Sequence, residues 1–385
     1  MTKNLITTRL LIVLLSFCVC SIGCQRDAVD SHKIIVDFNE SNDLFSSGII
    51  ESVQLIELET NEESLMGMPG RIIITENEIF ILNNSDPRSS QMNILRFGID
   101  GQFLNSIGRT GKGPGEFIGV NDFFVNKKTE QIELVCSHNQ MLLFKVTGEY
   151  SGEIKNPNKI PVNSFIKTNE GNYFIYGGPN NGFDNHRIYL VDSEGEITKK
   201  YLGQETNLSP IANENNFILS GNEILFRESF NDTIYRLNNE GIAPYYIFEF
   251  GNYSLPKDIH LSTDLFSAIK DCAMPVLLYE NKDYMLSAFF IFGSNLPLSF
   301  IIKNKISGNT KLISMPEESE FVASFDGPGY LTDNNEIVFL LHPIDIQLNS
   351  AKLTKIPMMD QLLPDVQLVD ENSNPFLVMA KIKEF

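Results

Sequence analysis

The feature that most constrains this chain is a repeat. A short hydrophobic strand, a tight polar turn carrying a glycine and a second strand recur, most clearly as Ile94-Leu95-Arg96-Phe97 followed by Asp100-Gly101-Gln102-Phe103-Leu104. The turn glycines fall at 101, 148, 195 and 241, spacings of 47, 47 and 46, and a fifth stands at Gly308. A second landmark, a polar turn followed by an apolar strand, begins near Glu78, Gln131, Asn172, Glu223, Asp283 and Glu336, which makes six copies. Periods of 40 to 50 residues with about four short strands each mark propeller blades, and the lack of helical periodicity excludes a helical solenoid. The expected fold is all-β: a six-bladed β-propeller of four-stranded antiparallel blades over 33–385.

Three segments depart from the period. Pro256 to Asp271 is expected to be a short helical insertion on the rim, with Ile259, Leu265, Phe266 and Ile269 along one side. Asp345 to Asn374 is expected to be an excursion of the last blade, with a helical turn around Met358 to Leu363. Phe376 to Ile382 then reads as a closing strand. An open ring would expose unpaired backbone groups, so a strand from the start of the chain must join the last blade. Lys33 to Phe38 is the expected partner.

The amino terminus carries Lys3 and Arg9, then an apolar run from Leu10 to Cys20, then Ser21-Ile22-Gly23-Cys24. That order predicts a signal peptide over 1–23. The apolar run is shorter than a bilayer-spanning helix needs. Ser21-Ile22-Gly23-Cys24 resembles a bacterial lipobox, although Ser21 stands where leucine is commonest; the resemblance implies acylation of Cys24, a tether over 24–32 and a membrane partner reached through lipid. The alternative is an ordinary secretory signal with a chance cysteine. The expected location is the cell envelope, at the outer membrane.

Removing 1–23 leaves 28 basic against 49 acidic residues, a net charge near −21. Such a chain is a poor partner for nucleic acid. With Cys18 and Cys20 in the signal and Cys24 acylated, only Cys136 and Cys272 remain, so there is no disulfide framework. Cys136 ends an apolar strand and is expected to be a buried thiol.

The string from Phe97 to Phe117, containing Gly108-Arg109-Thr110-Gly111-Lys112-Gly113-Pro114-Gly115-Glu116-Phe117, resembles the six-bladed, NHL-like β-propeller lipoproteins abundant in Bacteroides-type bacteria. Asp232-Thr233-Ile234-Tyr235 and Asn374-Pro375-Phe376-Leu377-Val378 are secondary matches. The resemblance spans nearly the whole mature chain and implies a scaffold rather than a particular activity.

The glycine string is not a phosphate loop, because it lacks Gly-Lys-Ser/Thr and leads into a strand where a nucleotide site needs a helix. It reads as a connector between blades, with Phe117 placed to plug the gap between two of them. In an antiparallel blade of strands a to d, the b-to-c loops and the d-to-a connectors lie at one end. Candidate ligand-binding residues gathered there are Arg88, Arg109, Lys112, Glu116, His138, Asp184, His186, Arg227, Asp232 and His342. The bland reading is that these are solvated turns.

No metal-ligand spacing appears, and zinc on His138, His186 and His342 or calcium on loop carboxylates would need convergence of separate blades. No cofactor is indicated. There is no Gly-x-Ser-x-Gly elbow. Tryptophan is absent, which leans away from a carbohydrate-stacking platform. The expected function is a non-enzymatic module that binds a small ligand or a partner protein through the channel-mouth loops. The alternative is an envelope hydrolase or lyase with its site at the central channel.

Overall fold

The computed structural model describes residues 32–385 except 41, 85–90, 127–128, 180, 204–214, 258, 260–261, 263, 294–297, 315–324 and 364–368. Cys24 and Arg88 therefore lie outside the described residues.

Two strands, β1 (His32–Ile35) and β2 (Ile50–Glu57), precede the first blade. Blade one is β3 (Met68–Ile74), β4 (Glu78–Asn84), β5 (Asn93–Gly98) and β6 (Phe103–Ile107). A small pair, β7 (Arg109–Thr110) and β8 (Glu116–Phe117), bridges to blade two. Blade two is β9 (Val120–Asn126), β10 (Gln131–Cys136), β11 (Gln140–Lys145) and β12 (Tyr150–Glu153). Blade three is β13 (Ser164–Lys167), β14 (Tyr173–Tyr176), β15 (His186–Val191) and β16 (Ile197–Gly203). Blade four is β17 (Phe217–Ser220), β18 (Glu223–Phe226), β19 (Thr233–Leu237) and β20 (Ile242–Glu249). Blade five is β21 (Ala273–Glu280), β22 (Tyr284–Ile291), β23 (Ser299–Asn304) and β24 (Thr310–Ser314). Blade six is β25 (Phe325–Leu331), β26 (Glu336–Leu341) and β27 (Phe376–Ile382), completed by β2. The six second strands begin at or one residue after the six sequence landmarks.

The ring closes with a different strand from the one expected. β2 pairs antiparallel with β27, from Ile50 opposite Ile382 to Glu57 opposite Phe376. β1 instead lies parallel to β20 and widens blade four to five strands. The reason is connectivity. The outermost strand of one blade must lead by a short connector into the innermost strand of the next, and β2 reaches β3 directly, whereas β1 is remote from it. Both segments are apolar enough to be strands, so composition did not separate them. On β1, Ile34 is buried against blade four, Ile35 faces solvent, and Lys33 pairs with Glu249 at 2.6 Å.

Strand parity builds the core. Six apolar clusters fill the six seams between neighbouring blades. In β4, Phe80 and Leu82 enter the seam with blade two, while Ile79 and Ile81 enter the seam with blade six. In β26, Ile337, Phe339 and Leu341 face blade five, while Val338 and Leu340 face blade one. A blade buried on both faces needs near-continuous hydrophobic strands, and that is why these strands do not alternate apolar with polar. Phe117 occupies the seam of blades one and two, with its ring against Gly108, where a β-carbon would stand 2.5 Å from it. Gly101 turns β5 into β6 at φ 88°, and a β-carbon there would lie 2.0 Å from the Glu57 carbonyl oxygen. That site has room only for glycine.

Among the described residues, the insertion between blades four and five holds the helical turn Leu265–Ala268. In blade six the helix is Pro343–Leu353, earlier than the helical turn expected around Met358, which lies among turns. Pro343 stands in its first turn, suited by its fixed φ, and Ile346 and Leu353 bury against the seam of blades five and six. Cys136 and Cys272 are both buried and unbonded to each other, and burial pushes the Cys136 thiol up to about 12.

Candidate functional site

The innermost strands of all six blades surround a central channel. At the end carrying the a-to-b turns, a cavity of about 550 Å³ is lined from every blade: Arg71, Phe124, Lys167, Leu219, Tyr279 and Tyr330 are one residue from each. This is the end opposite to the b-to-c loops. Its size falls within the range of small-molecule pockets.

Parity explains how charge enters this apolar ring. β10 sends Ile132, Leu134 and Cys136 into one seam, so Glu133 faces the other, fully buried between blades two and three. There Lys167 meets it at 3.4 Å, with the ammonium 5.3 Å from the centre of the Tyr173 ring. Arg71 likewise pairs with the buried Asp122 across the seam of blades one and two, its guanidinium 5.8 Å from the Phe123 ring centre. Glu280, at the end of β21, accepts from Lys305 at 2.7 Å, Ser220 at 2.9 Å and Tyr246 at 2.7 Å. Burial raises the carboxyls of Asp122 and Glu133 above the ordinary range despite these cations.

Tyr279 and Tyr330 pack edge to face at 5.2 Å. Tyr279 donates to the Gly329 carbonyl at 2.6 Å and Tyr330 to the Ile74 carbonyl at 3.3 Å, which ties blade five to six and six to one. Burial raises both phenols, and the guanidiniums of Arg71 and Arg227 act on Tyr279 in the opposite direction.

The described residues among those expected from sequence lie at the other end and do not form one cluster. Arg109 and Glu116 pair at 2.6 Å, with Arg109 75% exposed. The Gly113 N–H, donating to Glu116 at 2.8 Å, and then Arg109 hold that carboxyl below its usual value. Lys112 and His138 are exposed, and His138 sits at φ 66° in a 3-10 turn. Burial alone would raise Asp184, but Lys200 at 2.6 Å, Tyr189 at 2.8 Å and the His186 N–H at 2.8 Å outweigh it and lower the carboxyl. The His186 ring lies 3.3 Å from Asp184. Asp232 accepts from the Thr233 hydroxyl at 3.0 Å. His342 precedes the helix Pro343–Leu353 and Asp345 lies in its first turn. Among the described residues no group of three His, Cys, Asp or Glu side chains could hold a metal ion.

Arg227 is 1% exposed, with its guanidinium donating to the carbonyls of Asn215 at 3.3 Å and Pro275 at 2.9 Å. It joins blades four and five from within. The residues that sequence reasoning missed, Arg71, Asp122, Glu133 and Glu280, carried a readable signal. Each is a charge inside a strand otherwise apolar enough to be buried, and a buried charge must be paired.

Residues 31–381 match the family DUF4934, described as a domain of unknown function, and the chain belongs to that family. A solved protein of Bacteroides fragilis whose name describes it as exported shares its fold, with a TM-score of 0.75 at 18% identity over 92% of this chain and 99% of that one. A DUF4221 member from Bacteroides vulgatus superposes with a TM-score of 0.54 at 11% identity, over 87% of this chain and 97% of that one. At these identities the likeness is one of fold. None of the curated proteins searched matches the sequence.

Proposed function

We propose that this chain is an exported, lipid-anchored binding protein of the cell envelope, holding a small molecule in the cavity at the a-to-b end of its channel. The observation that carries the reading is the cavity itself, about 550 Å³ with walls from all six blades. Its deep ionic groups are held by fixed partners, Arg71 by Asp122, Lys167 by Glu133 and Glu280 by Lys305, an arrangement that preorganises a wall. The signal-like sequence before Cys24 and the name of the B. fragilis neighbour support export.

The test is a thermal-shift screen of small molecules on the full chain in a sugar-free detergent, repeated on two variants. Asn222→Trp places a large side chain at the exposed mouth of the cavity, and Lys112→Trp does the same at the opposite end. Stabilisation by a hit should disappear in N222W and persist in K112W. The reverse pattern moves the site to the other end of the channel.

A further inference from the structure

Within that reading, we infer that the ligand is an uncharged, hydroxyl-rich molecule, a neutral saccharide. The first argument is electrostatic. Holding an ionic ligand away from water requires an opposing charge free to meet it. The cavity's two cations are already matched by Asp122 and Glu133, and its deepest carboxylate, Glu280, is met by Lys305, Ser220 and Tyr246. The mouth adds Glu170 and Asp333, which disfavour anions.

The second argument is the neutral polar lining. Six asparagines, Asn126, Asn169, Asn215, Asn222, Asn238 and Asn239, border the cavity. Each amide offers both a carbonyl acceptor and an N–H donor, the complement of a hydroxyl, which also does both. Most of these asparagines sit in or beside turns, as the fold alone would place them, so their number is not sufficient. A further observation points the same way. Wall residues keep buried polar atoms without a hydrogen-bond partner, among them the Nε donor of Arg71 and the Oδ1 acceptors of Asn215 and Asn239. An unmet donor beside unmet acceptors suits a group of mixed capacity better than an ion of either sign.

The third argument is apolar. A sugar ring presents C–H faces as well as hydroxyls, and Phe124, Leu219, Tyr279 and Tyr330 supply apolar wall between the amides. The missing tryptophan therefore does not remove the stacking surface, since tyrosine and phenylalanine rings provide it.

The test is titration of the full chain, in sugar-free detergent, against an array of uncharged oligosaccharides, with digalacturonate and spermidine as anionic and cationic probes. Saturable binding of a neutral sugar is expected, weakened roughly tenfold in an Asn169→Ala/Asn222→Ala double variant, the scale of one or two lost hydrogen bonds. Both asparagines are exposed at the mouth, so the variant's unfolding midpoint should match wild type and separate lost contacts from lost fold. Binding of digalacturonate or spermidine without any neutral sugar overturns the inference, as does silence across the whole sugar array. If a non-sugar hit from the screen is still lost in N222W, the cavity stands as the binding site while the saccharide assignment falls.

Discussion

At the end formed by the b-to-c loops and d-to-a connectors, Arg109, itself 75% exposed to water, pairs with Glu116, whose carboxylate side chain is 20% exposed. Inside the ring, Arg71, which lines the cavity, holds Asp122 in a seam where the carboxylate side chain is only 4% exposed. The same pair of charges has opposite consequences. In water the ions are already solvated, so pairing adds little. In the seam neither ion can return to water without opening the ring, so the pair fixes two blades around the cavity at the cost of desolvation. Charge density in the loops is therefore a poor guide to which charges are buried, and charge inside an apolar strand is a better one.

The contrast can be broken most directly at its buried member. Arg71→Met leaves Asp122 without its cation, and a loss of about 3–5 kcal/mol at neutral pH is expected in urea unfolding. Adding Asp122→Leu should return most of that loss. If R71M alone is neutral, the seam is wetter than the packing implies. Next in size is Arg227→Met, which strips hydrogen bonds from the part-buried carbonyl of Asn215 and the buried carbonyl of Pro275 and should cost about 1–3 kcal/mol.

Acid titration sharpens the comparison, because the seam carboxylate Asp122 and the loop carboxylate Asp184 should respond with opposite sign. Burial places Asp122 above its unfolded value, so the folded protein binds that proton more readily. Its contribution is full below the ordinary aspartate value of about 3.9 and is lost as pH rises through the raised value. Asp184 is lowered, so its contribution is present above that ordinary value and is lost as pH falls through the lowered one. Wild type should therefore gain stability relative to Asp122→Asn as the solution is acidified from neutral, and lose it relative to Asp184→Asn on further acidification. Denaturant midpoints of the three proteins between neutral and strongly acid pH decide this, and slopes of one sign would remove the distinction. The smallest effect belongs to the loop pair, where Arg109→Ala should leave the midpoint unmoved within error.

The strand nearest Cys24 along the sequence, β1, is paired to β20 at the outer edge of blade four and takes no part in the closure of blade six. The ring is closed without it.

The sequence by itself determined the parts that are local. Six second strands lie at or beside their six polar landmarks, and Gly101, Gly148 and Gly195 turn with φ near 88°, 88° and 85°, because a tight turn at those positions needs a backbone that other residues resist. The burial of Cys136 and the seam position of Phe117 follow from the same short-range patterning. Two things were decided only by tertiary structure. Which of two apolar segments closes the ring depends on which can run antiparallel to β27 and still reach β3. The width of the cavity at the a-to-b end depends on how far the a-to-b turns of six separate blades stand from one another. Neither is a property of any window of the sequence, because each is set by the meeting of segments that are distant along the chain.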